Sequence, residues 1–255
     1  MQKAQNAFLR NDSEGNLRLA GIGTKNESSL HKTLKFQYTG LNGQVEAEAG
    51  EFVTDGIRQD GEYIEVQTGS FAPLRKKIKA LSGSKKNVRI IHPIAVNKYI
   101  EVYKKELKHY AAVPLCEHLL HRRKSPKKGS LWSLFDALIH APELALLPGV
   151  TIEVVLADIT EIRVKDGKGS WRRKGISIKD RKIKAWHESV VFKNPKDYLS
   201  FVPFKKSEEF TVATLANRAC IKTDTARLAL YALTKMGIVK RIGKQGHAWV
   251  YTRAK

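Results

Sequence analysis

The chain has 255 residues, 42% hydrophobic and 28% charged, and its 46 Lys and Arg against 25 Asp and Glu give a net charge of +21. This composition fits a soluble globular protein of two or three domains with room for a large core. The charge points to a polyanionic partner, nucleic acid ahead of an anionic membrane surface, because no Lys-rich amphipathic helix with a broad apolar face stands out. No run of about 18 apolar residues is available to cross a membrane. The stretch MQKAQNAFLRND lacks the apolar segment of a secretory signal. Two cysteines, Cys116 and Cys220, have apolar neighbours and no metal-ligand spacing, so they read as reduced, buried thiols of a cytoplasmic protein.

Residues 1–25 are polar and without periodicity, and are expected to be a mobile lead-in. A helix is predicted from Asn26, which would cap it, with Leu30, Leu34 and Tyr38 recurring every four residues. Strand-like runs follow near 44–49, 51–58 and 62–68. The segment 70–81 then reads as a helix, with Ser70 as cap, Pro73 in the first turn and Phe71, Leu74, Ile78 and Leu81 on one face. NVRIIHPI and KYIEVY read as two further strands, completing an α/β core over residues 26–120.

A basic α+β middle region, 121–204, is expected next. It opens with the basic loop HRRKSPKKGS and a helix at 130–140, continues with a buried strand at 150–159, and closes on a second basic loop, 165–184. Residues 205–255 carry 11 Lys and Arg against 3 Asp and Glu. Their helix, turn, helix and glycine-bracketed hairpin form the pattern of a winged helix-turn-helix.

The polar pair in YIEVQT, Glu65 and Gln67, occupies alternate positions of one strand and so shares a face. A two-residue turn at Asp60-Gly61 would leave Asp55 and Glu65 on opposite faces. A three-residue loop, Gln59-Asp60-Gly61, suits a left-handed glycine in its third position and sets Asp55 opposite Glu65 and Val53 opposite Gln67. Opposed Cβ atoms are about 4.5–5.5 Å apart, so two carboxylates there call for a cation or a proton between them. Glu27 shares the helix face of Leu30 and Leu34 and could join them, making an oxygen site suited to Mg²⁺ or Mn²⁺. The plain alternative is that Glu65 and Gln67 face solvent.

A helix-borne Glu27, Asp55 on one hairpin strand, E-x-Q at Glu65 and Gln67, and a helix straight after resemble the PD-(D/E)XK nuclease superfamily over about residues 26–103. The resemblance implies a restriction-endonuclease-like mixed sheet with an α-β-β-β-α-β core. It also implies Asp55 and Glu65 as metal ligands, Gln67 in place of the usual lysine, and Glu27 as an auxiliary acid. The implied activity is metal-assisted phosphodiester hydrolysis, with Gln67 orienting water and Lys76 or Lys77 neutralising phosphate. Members of that superfamily often act as homodimers.

In the winged helix, the second helix would enter the major groove with Lys222, Thr223, Thr225 and Arg227 near phosphates or base edges, and the wing could hold the backbone or the minor groove with Lys240, Arg241, Lys244 and His247. Leu228, Leu233 and Met236 read as core and Trp249 as wing packing. In GSWRRKG, Arg172, Arg173 and Lys174 could track phosphates while Trp171 stacks on a base, or Trp171 could pin the loop to the protein. The histidines lack zinc spacing, and neither a phosphate-binding G-x-x-x-x-G-K-[ST] loop nor G-x-S-x-G occurs. Two functions therefore stand: a DNA-binding, metal-dependent nuclease, and a non-enzymatic winged-helix regulator with a degenerate nuclease fold.

Overall fold

A computed structural model describes residues 9–11, 17–19, 27–104 and 118–254. Within the expected lead-in it places a short antiparallel hairpin, β1 (Leu9–Asn11) and β2 (Leu17–Leu19). Helix α1 (Ser29–Thr39) is capped by Ser28, whose hydroxyl accepts the His31 amide; Asn26 lies outside the described residues, and Glu27 precedes the helix instead of riding on it. Three antiparallel strands follow, β3 (Gln44–Ala49), β4 (Phe52–Ile57) and β5 (Tyr63–Val66). A 3₁₀ turn (Ala72–Leu74) leads into α2 (Arg75–Gly83), and Phe71, Leu74, Ile78 and Leu81 are all buried as their spacing predicts.

The next strand, β6 (Val88–Lys104), is one continuous run of 17 residues, not two strands. Pro93 lies within it, and its missing N–H costs nothing. Ile91 turns its carbonyl toward β5, where it accepts from Gln67, so Pro93, two residues on, faces the same edge just beyond the end of β5. The first four residues of the first expected basic loop belong to β7 (Leu119–Lys124), antiparallel to β6 on the edge that β5 has vacated. The second half of the second, from Ile176 on, belongs to β9 (Ile176–Phe192), which pairs along β8 (Val150–Lys165). Their many cations hid a strand, because an edge strand with an exposed face needs few apolar residues.

The result is a mixed α/β fold around a seven-stranded mixed sheet ordered β3-β4-β5-β6-β8-β9, with β7 beside β6. The β5–β6 and β6–β8 pairs are parallel. On one face α1 packs Leu30 and Leu34 against Ile64, Val66, Ile91 and Val155. The other face meets α2, the short α3 (Leu134–Leu138) and the C-terminal module.

That module contains α4 (Val212–Arg218), α5 (Thr223–Lys235) and the hairpin β10 (Val239–Gln245) and β11 (Ala248–Arg253), in winged-helix order. Gly237 ends α5 at φ +68°, as a left-handed helix stop requires. Leu233 and Met236 are buried and Leu228 packs beside them, in a core that runs without interruption into the sheet. Cys220 is exposed and takes φ +52° in the turn between α4 and α5, so it is not the buried thiol expected; Cys116 lies outside the described residues. Among the described residues no helix is long and apolar enough to cross a membrane.

Candidate functional site

The β4–β5 hairpin sets the site. The Arg58 amide donates to Glu62 O at 2.9 Å, the Gly61 amide donates to Arg58 O at 2.9 Å, and Gly61 sits at φ +83°. This is the three-residue loop, and its pairs Gly56↔Ile64 and Ile57↔Tyr63 carry Asp55 into register with Glu65. Regular pairing stops at Gly56. Beyond it the Asp55 carboxylate, not a backbone carbonyl, accepts the Val66 amide at 2.7 Å. The two strands splay there, and the acids stand at the fork.

Each acid has its own cation. His31 Nε2 lies 2.9 Å from Val66 O and 3.4 Å from Asp55 Oδ2, while its Nδ1 meets Glu27 Oε1. Both ring nitrogens thus face oxygens, an arrangement that favours a proton on each. Burial works against that charge, but Asp55 and Glu27 outweigh it and raise the His31 pKa. Burial likewise opposes ionisation of Asp55, yet the hydrogen bond and charge of His31 hold its carboxyl below the usual range. Lys35, only 4% exposed, lies 2.9 Å from Glu27 and 3.1 Å from Glu46.

Glu65 is 3% exposed, and both of its oxygens accept from Lys77 Nζ, at 2.8 and 2.9 Å. Burial pushes its pKa up to about 7, a rise that Lys77 only partly offsets. Lys77 also donates to Val53 O at 2.8 Å, so α2 is tied across the mouth of the fork. Lys76, offered by the sequence for the same role, instead pairs with Glu51 at 3.2 Å on the surface. The Gln67 amide donates to Ser70 O at 2.7 Å, bracing the turn that starts the next helix.

One ligand atom from each of Glu27, His31 and Asp55 lies within 4.8 Å of the others. Two carboxylates and an imidazole could hold a divalent cation, Mn²⁺ more readily than the oxygen-seeking Mg²⁺, once His31 gives up a ring proton to it. Glu65 stands outside that trio. The reading of the sequence missed His31, whose only signal was its place four residues after Glu27, and Lys35, four further on.

The expected nucleic-acid contacts are mostly at the surface. Lys222, Thr223 and Arg227 are exposed and Thr225 is half-buried, with Arg227 paired to Asp224 at 2.6 Å. Lys240, Arg241, Lys244 and His247 are all exposed on the wing. Trp249 is not wing core: it is 42% exposed, and Arg241 and Lys244 lie over its ring at 4.9 and 4.7 Å. At the tip between β8 and β9, Arg172 and Lys174 are exposed, while Arg173 is half-buried and donates to Ile176 O. Trp171 is 83% exposed, so it does not pin this loop to the protein.

Residues 28–193 match the family described as "Domain of unknown function (DUF8091)", and the chain belongs to that family. It is also similar to an uncharacterized protein of Treponema pallidum (strain Nichols), 27% identical over 235 residues that cover 91% of this chain and 87% of the relative. No solved structure shows significant similarity to the chain.

Proposed function

We propose that the protein binds DNA and hydrolyses phosphodiester bonds with a divalent cation, on a restriction-endonuclease-like core. One observation carries this reading: Asp55 and Glu65 stand in register where β4 and β5 splay, with Glu27 and His31 brought to Asp55 from the start of α1. The order α1, β3, β4, β5, α2, β6, with its last strand pair parallel, is the α-β-β-β-α-β arrangement that the nuclease resemblance implies.

Asp55, Glu27 and His31 would hold the cation, which supplies positive charge at the phosphate and a more acidic water. Glu65, with a pKa of about 7, is matched to accept a proton from that water at neutral pH. As water attacks phosphorus and the bond to the leaving oxygen breaks, Lys77 is the ammonium at hand to offset charge on the phosphate. Gln67 keeps the turn after β5 in shape and so acts as a positioning residue. The exposed cations of the wing and of α5 would hold the duplex backbone.

The test is cleavage of plasmid and oligonucleotide DNA in Mg²⁺ or Mn²⁺ by the wild type, Asp55→Ala and Glu65→Ala. Each substitution should lower cutting by roughly 100-fold or more. Undiminished cutting by either variant overturns the site. A second reading, a non-enzymatic DNA-binding regulator, draws on the fact that both acids already have protein cations and Gln67 is tied into a turn. Tight duplex binding with no cutting of any substrate would favour it.

A further inference from the structure

A notch interrupts the sheet beside the candidate site. On one edge of β6, β5 pairs only as far as Ile91, and β7 covers that edge only from Tyr99 on, where Lys124 stands opposite. Between them lies a groove of about 380 Å³, bounded by Leu30 next to His31, by Thr68 and Ser70 just after Gln67, and by Pro93 and Ala95. The groove therefore opens at the carboxyl end of β5 in a parallel strand pair, the place where open α/β sheets present ligands.

Two of its lining cations share one buried carboxylate with a third cation. Glu161, 1% exposed, is contacted by three cations: Arg163 at 2.6 Å, Arg181 at 3.2 Å and Lys98 at 3.6 Å. Arginine stays charged at any working pH, and one carboxylate leaves two of these charges uncompensated. Of the three, Lys98 and Arg181 line the groove, and on its other walls Lys127 and Asp136 offset each other. A groove with a positive surplus focuses field and favours a second anion over bulk solvent.

We infer that this groove is a phosphate subsite, in which Lys98, Arg181 and Lys127 hold a backbone phosphate of a nucleic-acid strand that runs past Glu27, His31 and Asp55. The inference rests on the reading of those residues as a phosphodiester site and deepens it by giving the strand a path. Free phosphate and mononucleotides share the same chemistry, so the experiment must separate the two sources.

Binding of a 20-residue duplex and of the matching single strand is measured by fluorescence anisotropy in EDTA, where no cutting takes place, across a series of salt concentrations. Lys127→Ala, on an exposed loop, and Arg181→Gln, which leaves Glu161 two cations, are compared with the surface control Lys86→Ala. Each groove variant should lose about threefold or more in affinity, and its log–log salt slope should shrink by about one unit per contact removed. Lys86→Ala should change neither. Unchanged affinity and slope in both groove variants would overturn the inference. So would inorganic phosphate or a mononucleotide that binds as tightly as the oligonucleotide and displaces it. The nuclease reading stands or falls on cleavage in metal, and this one on binding without it, so the two can fail separately.

Discussion

Glu65 is a glutamate kept from water and given only one cation, and that choice has a measurable cost. In the folded protein it holds its proton up to about pH 7, whereas an ordinary glutamate releases it near 4.5. Between those values the folded state binds more protons than the unfolded chain, so stability must fall as pH rises. His31 works in the same direction. Its raised pKa gives stability that is complete below its ordinary value of 6.5 and disappears as pH climbs through the folded one. Asp55 works the other way, since its lowered pKa adds stability that is lost only as the solution becomes strongly acidic. Urea unfolding in EDTA should therefore show the wild type losing stability between pH 5 and 7.5, and Glu65→Gln losing clearly less over that range. Equal losses in both proteins would show that Glu65 does not hold its proton in the fold.

At the scale of elements, α1 is fixed at both ends, and this is what aims Glu27 and His31. Its last residue, Thr39, is sandwiched between Gly43 and Gly56. A Cβ on Gly56 would stand 2.1 Å from Thr39 Oγ1, and one on Gly43 would stand 2.5 Å from Thr39 Cγ2. Gly56→Ala should cost roughly 1–3 kcal/mol by overpacking. Thr39→Ala removes the nearest clash, so the double variant should recover part of that loss in a thermodynamic cycle. Full additivity would mean that the helix end does not bear on β4. The register of the hairpin was legible because Gly61 selects one loop length and a one-residue slip would turn every side chain over. The helices at 72–83 and 223–235 were legible because their apolar spacing matches the helical period. The strands β7 and β9 were not, because alternation is masked where an edge carries lysine and arginine on its exposed side. His31 was hidden for a different reason: its role depends on Asp55 and Val66 being brought to it across the fold, which no local spacing encodes.

At the scale of the whole molecule, the buried core crosses the boundary that the charge pattern suggests at residue 205. Helix α5 of the winged helix packs on α3, and its Ala229, Leu230 and Leu233 belong to the same buried cluster as Phe71, Ile90 and Phe135. A cut before residue 205 would expose this apolar surface on both pieces. Limited proteolysis should therefore fail to release 205–255 as a folded fragment, and the chain truncated at 204 should aggregate or unfold at lower temperature. Recovery of two stable, soluble pieces would show that the module is independent. If it is not, any duplex held by the wing is held rigidly relative to the fork between β4 and β5, and the spacing between the two becomes a fixed ruler along the bound strand.

Pro93 gives the notch in the sheet a further property. A gap at a strand edge is an invitation to any extended segment, from another chain or from the same one, to dock there as an extra strand. Pro93 offers no amide hydrogen toward the gap, and the Ala95 carbonyl beyond it is already taken by the Gly129 amide at 2.8 Å. A visiting backbone would meet a missing donor at one edge position and an occupied acceptor at the next. Regular strand addition is thus interrupted at this gap, and a ligand held there relies chiefly on side chains.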